Sequence, residues 1–487
     1  MKIKHKILVS SVLFLVAVAG VSCKKYLDIN KSPLTAETVD PKLLFGYAVT
    51  AWDVSKNSGD SYIAVGFIGQ SLSSGADFSD NWGSSNLYNV STNVLGNTWK
   101  VYFSTAGNNL KLAIKNAETA NPVNNNAAAQ CKILLAQLMY ECTTLYGDVP
   151  FTQAWDPEKF PYPKYDSQQS VLESVLSLLE EAKAQIDPSS PFKIADYDVF
   201  YGGNMSKWTK LANSIKFKTL MVMADKDPSK AAAIGQLVSN PTTMIASAAE
   251  NLRVLYTGNT NNENPKFRLF GGENPFTYAS KAVTDIMVPK NDPRLKKYFD
   301  LPTGQTQYIG VPANVDANAS TSLISLYLYR KNAPSLILSY QELLFLQAEA
   351  YARGLGVAKN LTTANTLYKQ ALQVAMEFYE ADPTDIANYM KTPANGGHLV
   401  DLTTAADPVK EIHLEQWVDL MDRPLEAFVQ WRRSGPDGSE VPLLTLPKDA
   451  TPGPLIRRFT LSPDELAANP NIPNPQPKYF DKMWFDL

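Results

Sequence analysis

The chain has 487 residues, 45% of them apolar and 19% charged, with a formal net charge of −3. That much apolar content fills one large core or two ordinary ones and excludes a wholly disordered chain. The mildly acidic balance gives no general attraction for phosphate backbones, which excludes nucleic acid as the natural partner.

The N-terminus carries the clearest signal. Lys2, Lys4 and Lys6 form a positive start, and residues 7–21 are almost wholly apolar or small. This run is shorter than the ~20 apolar residues of a membrane-spanning helix and reads as a secretory signal. Cys23 follows Ser22 directly, the pattern of a lipobox. Residues 1–22 are therefore expected to be a lipoprotein signal peptide and Cys23 the acylated N-terminus. Several acyl chains on one residue anchor a protein stably where a single chain does not. The alternatives are an ordinary signal peptide cleaved elsewhere or an uncleaved anchor; no Ala-x-Ala site follows to favour the first. Cys131 and Cys142 fall in one helical stretch about 16 Å apart, beyond the ~7 Å reach of a disulfide, and read as buried small apolar residues.

Residues 23–40 form a lipidated, extended lead-in, and residues 41–487 are expected to be a single domain. Amphipathic helices are predicted at 99–117, with Tyr102, Phe103, Leu110 and Ile114 on one face, and at 127–146, stopped by Gly147. Two more follow at 170–186, stopped by Pro188, and at 204–224. The aromatics Trp99, Tyr102 and Trp208 lie on apolar helix faces and read as core. Residues 240–332 are rich in Asn, Gly, Pro and Thr, which predicts long loops with a little sheet, including a strand within 323–328. Helices return at 334–352 and 363–381, separated by Gly354-x-Gly356. Ala348, Tyr351, Ala364, Tyr368 and Ala371 are spaced as in a degenerate tetratricopeptide unit, small residues letting two helices close on each other. A helix at 407–433 is expected to break at Pro424, and residues 435–487 are Pro-rich and irregular. The predicted fold is mainly α: an α-α superhelix of tetratricopeptide-like helix pairs plus a large irregular loop layer, in a single domain.

No catalytic constellation is evident. Only His398 and His413 lie beyond the signal, with no metal-ligand spacing, so no metal site and no cofactor is expected. Glu411, Glu415, Asp419 and Asp422 recur every three or four residues and predict a solvated acidic helix face or docking surface. Asp80, Asp148, Asp292 and Asp300 lie in loops without evident partners. The better lead is a set of loop aromatics among polar residues: Phe78, Asp80, Asn81, Trp82 and Tyr88, with Phe276 and Tyr278 as a second group. An aromatic face beside amides and carboxylates suits a sugar, whose C–H face stacks while its hydroxyls are bonded. It suits a peptide equally. The alternative for these rings is that they tuck into the scaffold as loop anchors.

Several motifs, in order along nearly the whole mature chain, resemble the SusD/RagB family of nutrient-binding outer-membrane lipoproteins of the Bacteroidetes. They begin with Cys23 to Asn30, then Trp99-x-x-Tyr102 opening a helix, and Tyr146-Gly147-Asp148-Val149-Pro150 ending one. Lys207-Trp208, Asp292-Pro293-Arg294, Ala348-Glu349-Ala350, Glu426-Ala427-Phe428, Arg432-Arg433-Ser434-Gly435 and Arg457-Arg458-Phe459 continue the series. The resemblance implies four tetratricopeptide-like units, and a binding protein rather than an enzyme. It also implies a SusC-like TonB-dependent transporter as partner, with an oligosaccharide or peptide as ligand, at the outer membrane and facing the exterior. The competing functions are a surface glycoside hydrolase using loop carboxylates and a non-catalytic helical-repeat scaffold that binds another protein.

Overall fold

The first helix begins where the sequence supplies both a cap and a fixed φ. Asp40 accepts the Lys42 backbone N–H at 3.0 Å, and Pro41 takes the first helical position. In this computed structural model the described residues are 39–74, 90–270, 277–313, 315, 317–435, 441–446 and 454–487. Cys23 and the lead-in lie outside them.

The first helix, α1 (Pro41–Asn57), leads to α2 (Asp60–Ile68) and the short strand β1 (Leu72–Ser74). The helix expected at 99–117 is two: α3 (Thr92–Lys100) and α4 (Gly107–Thr119), joined through a π turn at Val101–Thr105. Trp99 thus closes a helix rather than opening one. The earlier start comes from Ser91, whose hydroxyl accepts the Val94 N–H at 3.2 Å. At the junction Gly107 lies so close to the preceding turn that a Cβ there would stand 2.0 Å from the Tyr102 carbonyl oxygen.

Helices α5 (Asn125–Tyr146), α6 (Gln168–Gln185) and α7 (Met205–Met223) fall close to their predicted places, each capped by the side chain before it: Asn124, Ser167 and Asn204. Helix α8 (Ala231–Val238) follows. The middle of the chain is loop with short elements: β2 (Leu252–Val254), α9 (Pro265–Phe270), β3 (Thr277–Ala279), α10 (Lys281–Met287), α11 (Leu295–Tyr298), β4 (Phe299–Asp300) and β5 (Leu323–Ile324). The strand foreseen within 323–328 keeps only its first two residues.

The helix foreseen from 334 is shorter than expected. Ser335–Leu338 form strand β6, antiparallel to β2, and α12 (Tyr340–Arg353) begins only after the Ser339 hydroxyl accepts the Glu342 N–H. Pro334 disfavours a helical start at 333, and β2 pairs the apolar run that follows. Helices α13 (Leu361–Phe378), α14 (Pro383–Tyr389), α15 (Pro408–Asp419), α16 (Pro424–Arg432) and α17 (Pro463–Ala468) complete the chain, with the break at Pro424 where the sequence placed it.

Residues Asp40–Leu487 form one compact unit. Helix α5 packs against α4 and α6, α6 against α7, and α12 against α13, giving the mainly α superhelix of helix pairs with its loop layer. In the α12/α13 pair Ala348, Ala364 and Ala371 are fully buried around Tyr368 and Phe345, and Tyr351 flanks them, as the spacing implied. The Gly354-x-Gly356 turn meets α8 backbone to backbone: a Cβ on Gly356 would stand 1.8 Å from the Ala231 carbonyl oxygen. Cys131 and Cys142 are free and buried, and Trp99, Tyr102 and Trp208 are core.

The acidic stripe is not the solvated face that its spacing suggested. Glu415 and Asp419 are buried, at 1% and 0% exposure. Arg294, itself fully buried, donates to Asp292 at 2.6 and 2.9 Å and to Glu415 at 2.8 Å, while Lys290 reaches Glu415 at 2.7 Å. Arg423 pairs with Asp419 at 2.8 Å and with Glu342. Lys218 bridges Glu342 at 3.0 Å and Glu426 at 2.5 Å, and Lys56 joins Glu426 to Glu141. Nearby, Arg433 binds Glu349 with both terminal nitrogens, at 2.9 and 2.8 Å. Periodicity places charges on one side of a helix; it does not say which side faces water.

Removing one member of such a cluster leaves a buried charge without a partner. Arg294→Met should lower unfolding stability by about 3–5 kcal/mol, measured by urea denaturation; a loss within 0.5 kcal/mol (about the noise of a surface change) would show that the cluster is solvated after all. Burial pushes the Glu415 carboxyl up, but Lys290 and Arg294 outweigh it and hold it down at about 2. A carboxyl depressed in the fold stabilises it above the unfolded value of 4.5 and loses that contribution as pH falls towards about 2. The thermal midpoint should therefore drop across that window, and the drop should shrink in Glu415→Gln. Asp419, raised by burial, works in the opposite sense, so the comparison between wild type and variant is the informative one.

Candidate ligand-binding face

The four-stranded sheet runs in the order β1-β3-β5-β4, all neighbours antiparallel. At one edge, Leu72, Ser73 and Ser74 of β1 pair with Ala279, Tyr278 and Thr277 of β3. Ser74 is the last described residue before 75–89, and Thr277 is the first after 271–276. The register therefore sets the entry to one aromatic segment directly beside the exit from the other. Phe78, Asp80, Asn81, Trp82, Tyr88 and Phe276 themselves lie outside the described residues. Tyr278 is described: it sits half-buried on β3 between Ser73 and Leu323.

Each end of these segments is held by packing. Helix α2 carries both β1, where the first segment departs, and α3, just after it returns. Gly66 of α2 makes the first contact possible, since a Cβ there would stand 2.6 Å from Leu72 Cδ1. Before the second segment, Phe270 is buried between Tyr62 and Tyr329, with ring centroids 5.9 and 4.8 Å away. The Thr277 and Tyr329 hydroxyls are 3.0 Å apart. Tyr62 donates to Asp422 at 2.8 Å, and Lys266, which lies 4.5 Å from the centre of the Tyr62 ring, donates to the same carboxylate at 2.7 Å. Burial raises the Tyr62 phenol well above its usual value, and the Asp422 charge adds to this, so it remains a donor.

Beside α3 lies a cavity of about 710 Å³ between that helix and the start of α17. Asn93, Asn97 and Lys100 line one wall, Asp464 and Glu465 the other, and Phe103 lies against the Trp99 ring at a centroid distance of 4.3 Å. The Tyr165 hydroxyl donates to Glu465 at 2.8 Å and fixes that carboxylate. Amides, a lysine and carboxylates around aromatic edges can bond hydroxyls and amides of a polar ligand. Sequence analysis missed Asn93, Asn97 and Lys100. Their signal was an Asn-containing polar face on α3, legible only once the helix was known to begin at Thr92.

The loop carboxylates Asp148, Asp292 and Asp300 all serve the scaffold. Asp148 caps the Gln168 N–H at 2.8 Å, Asp292 is bound to Arg294, and Asp300 accepts the Leu326 N–H at 3.1 Å. The other motif residues behave alike. Arg458 donates to the Tyr146 carbonyl, Arg457 grips Asp486 at 2.6 Å, and Trp208 Nε1 donates to Asp198 at 2.7 Å.

A SusD-like family described as starch-binding and associating with the outer membrane matches residues 54–457. The chain belongs to this family. A chitin-binding protein superposes with a TM-score of 0.76 at 23% identity, covering 92% of this chain and 100% of that one. A chitin-binding SusD homolog from Flavobacterium johnsoniae gives 0.73 at 18% identity, covering 92% and 97%. A SusD homolog from Bacteroides vulgatus gives 0.73 at 18%, covering 90% and 93%. At these identities the likeness establishes the SusD fold. No curated protein matches the chain.

The Gly66 contact gives a test of the frame. Gly66→Val should push Leu72 and β1 off α2, costing about 1–3 kcal/mol as overpacking does and weakening ligand binding with it. An unchanged thermal midpoint would mean that β1 is not seated on α2 as described.

Proposed function

We propose that the mature chain is a cell-surface lipoprotein that binds an oligosaccharide, in preference to a peptide, and delivers it to a SusC-like TonB-dependent transporter. In this proposal acylated Cys23 anchors it to the outer membrane, with the binding face towards the exterior. The ligand lies on Trp82, Phe78 and Tyr88, with Asp80 and Asn81 bonding hydroxyls and Phe276 and Tyr278 adding the second aromatic group. One observation supports this above others: Ser74 and Thr277 pair, so the residue before one aromatic segment lies beside the residue after the other. Support for a carbohydrate comes from the starch-binding description of the family and from two structural neighbours named as chitin-binding.

The mechanism needs no bond to be broken. Aromatic rings offer apolar faces to the C–H surface of a sugar, and polar side chains between them replace water at the hydroxyls. Such a site holds the ligand reversibly, as a carrier must if it is to release it to a transporter. Asp148, Asp292 and Asp300, the described loop carboxylates a hydrolase would draw on, are occupied in the frame.

Titration of an oligosaccharide panel against wild type and Trp82→Ala tests the assignment. The variant should bind roughly tenfold more weakly (about 1.4 kcal/mol) with its thermal midpoint nearly unchanged and with no sugar cleaved by either form. A large loss of stability would instead assign Trp82 to the core, and release of shortened product would make the protein an enzyme.

A further inference from the structure

A second cavity, of about 750 Å³, lies against α1 and shares no lining residue with the one beside α3. Its walls are α1, the loop around Tyr197, the residues following β2 and the start of α9. At its floor is Asp53, only 2% exposed. The Tyr256 hydroxyl donates to Asp53 Oδ2 and the Ser335 hydroxyl lies beside the carboxylate, while Oδ1 is buried without a hydrogen bond of its own. Burying an acceptor without a partner is unfavourable, and a donor entering from the cavity would relieve it.

What would enter is set by the charges and surfaces around it. Lys56 and Lys266 are near enough to act on Asp53 electrostatically, but their ion pairs are with Glu141 and Glu426 and with Asp422. At the rim Arg268 is paired with Glu263 at 3.1 Å, while Asp196 lines the opening with no cation bonded to it among the described residues. Among the lining residues the carboxylates Asp53, Asp196 and Glu263 face the single cation Arg268, with Lys331 also 3.6 Å from Glu263. Its collar is apolar and open to solvent: Tyr197, Val54 and Leu255 are 41%, 45% and 60% exposed. The Tyr197 ring lies against Gly46, where a Cβ would stand 3.0 Å from its Cδ1, and the Lys42 ammonium is 5.9 Å from the ring centre. A half-exposed aromatic collar above a buried carboxylate suits a cation carried on an apolar or ring-shaped body.

We propose that this cavity is a second ligand site, separate from the aromatic segments, and that it takes a protonated amine whose N–H donates to Asp53 Oδ1 while its body packs on Tyr197 and Leu255. An amino sugar and a lysine-bearing peptide both present that chemistry.

The full mature chain is titrated calorimetrically with three probes: a glucosamine trisaccharide with free amines, its fully N-acetylated counterpart, and the tripeptide Gly-Lys-Gly. At least one free-amine probe should bind saturably, and which of the two does so distinguishes the source. Asp53→Asn should weaken that binding at least about tenfold, as loss of a charge-assisted hydrogen bond does. Tyr197→Ala, at an exposed rim position that does not endanger folding, should weaken it too. Trp82→Ala should leave it unchanged, which separates this site from the oligosaccharide face. The proposal is overturned if neither amine binds, if binding survives both Asp53→Asn and Tyr197→Ala, or if the acetylated sugar competes for the same site with equal affinity.

Discussion

The structure depends on a buried chain of opposite charges running along α15 and α16. Arg294, Arg423, Lys218 and Lys56 alternate with Glu415, Asp419, Glu342, Glu426 and Glu141, and almost every member is withdrawn from water. Ion pairs of this kind contribute little net stability compared with well-packed apolar residues, because desolvating each charge offsets most of the attraction. Their effect is on specificity. A lysine that must meet two particular glutamates, as Lys218 meets Glu342 and Glu426, allows one relative position of α7, α12 and α16 and penalises all others. Helix pairs joined only by Leu, Ala and Tyr could slide past one another by a turn.

Fixing those helices fixes the loop layer. Asp422, next to Arg423 in the chain, accepts from both Tyr62 on α2 and Lys266 on α9. Helix α2 carries β1, and α9 ends at Phe270, whose ring is clamped by Tyr62 and Tyr329. A single carboxylate therefore ties the ends of both candidate binding segments to the helical frame. Binding proteins commonly place variable segments on an invariant support, and here the support can be followed residue by residue to the strand edge. The motif residues Arg457, Arg458 and Trp208 belong to this support, each bonded within the frame.

Much of this was legible in the sequence for plain physical reasons. Side-chain caps, a positive-φ glycine at 147 and proline at 424 punctuate helices locally, so the positions of α5, α6, α7, α13, α15 and α16 needed no tertiary information. Small residues at Ala348, Ala364 and Ala371 announced a close helix pair. The errors came where a distant partner decided. Residues 335–338 are as apolar as a helix start, and only β2, far away in sequence, makes them a strand. The stripe from Glu411 to Asp422 has the spacing of a surface face, and only Arg294, Lys218 and Arg423 arriving from other elements make it interior.

By itself, then, the sequence determined where α5, α6, α7, α13, α15 and α16 lie and which segments are rich in aromatic and polar residues, because each of these is a property of a few consecutive residues. Only the tertiary structure decided that Ser74 and Thr277 pair, that Glu415 and Asp419 of the acidic stripe are core, and that Asp53 has a buried oxygen without a hydrogen bond beside a cavity. Those facts depend on residues tens to hundreds of positions apart meeting in space, and neither periodicity nor composition encodes which of many possible partners will meet.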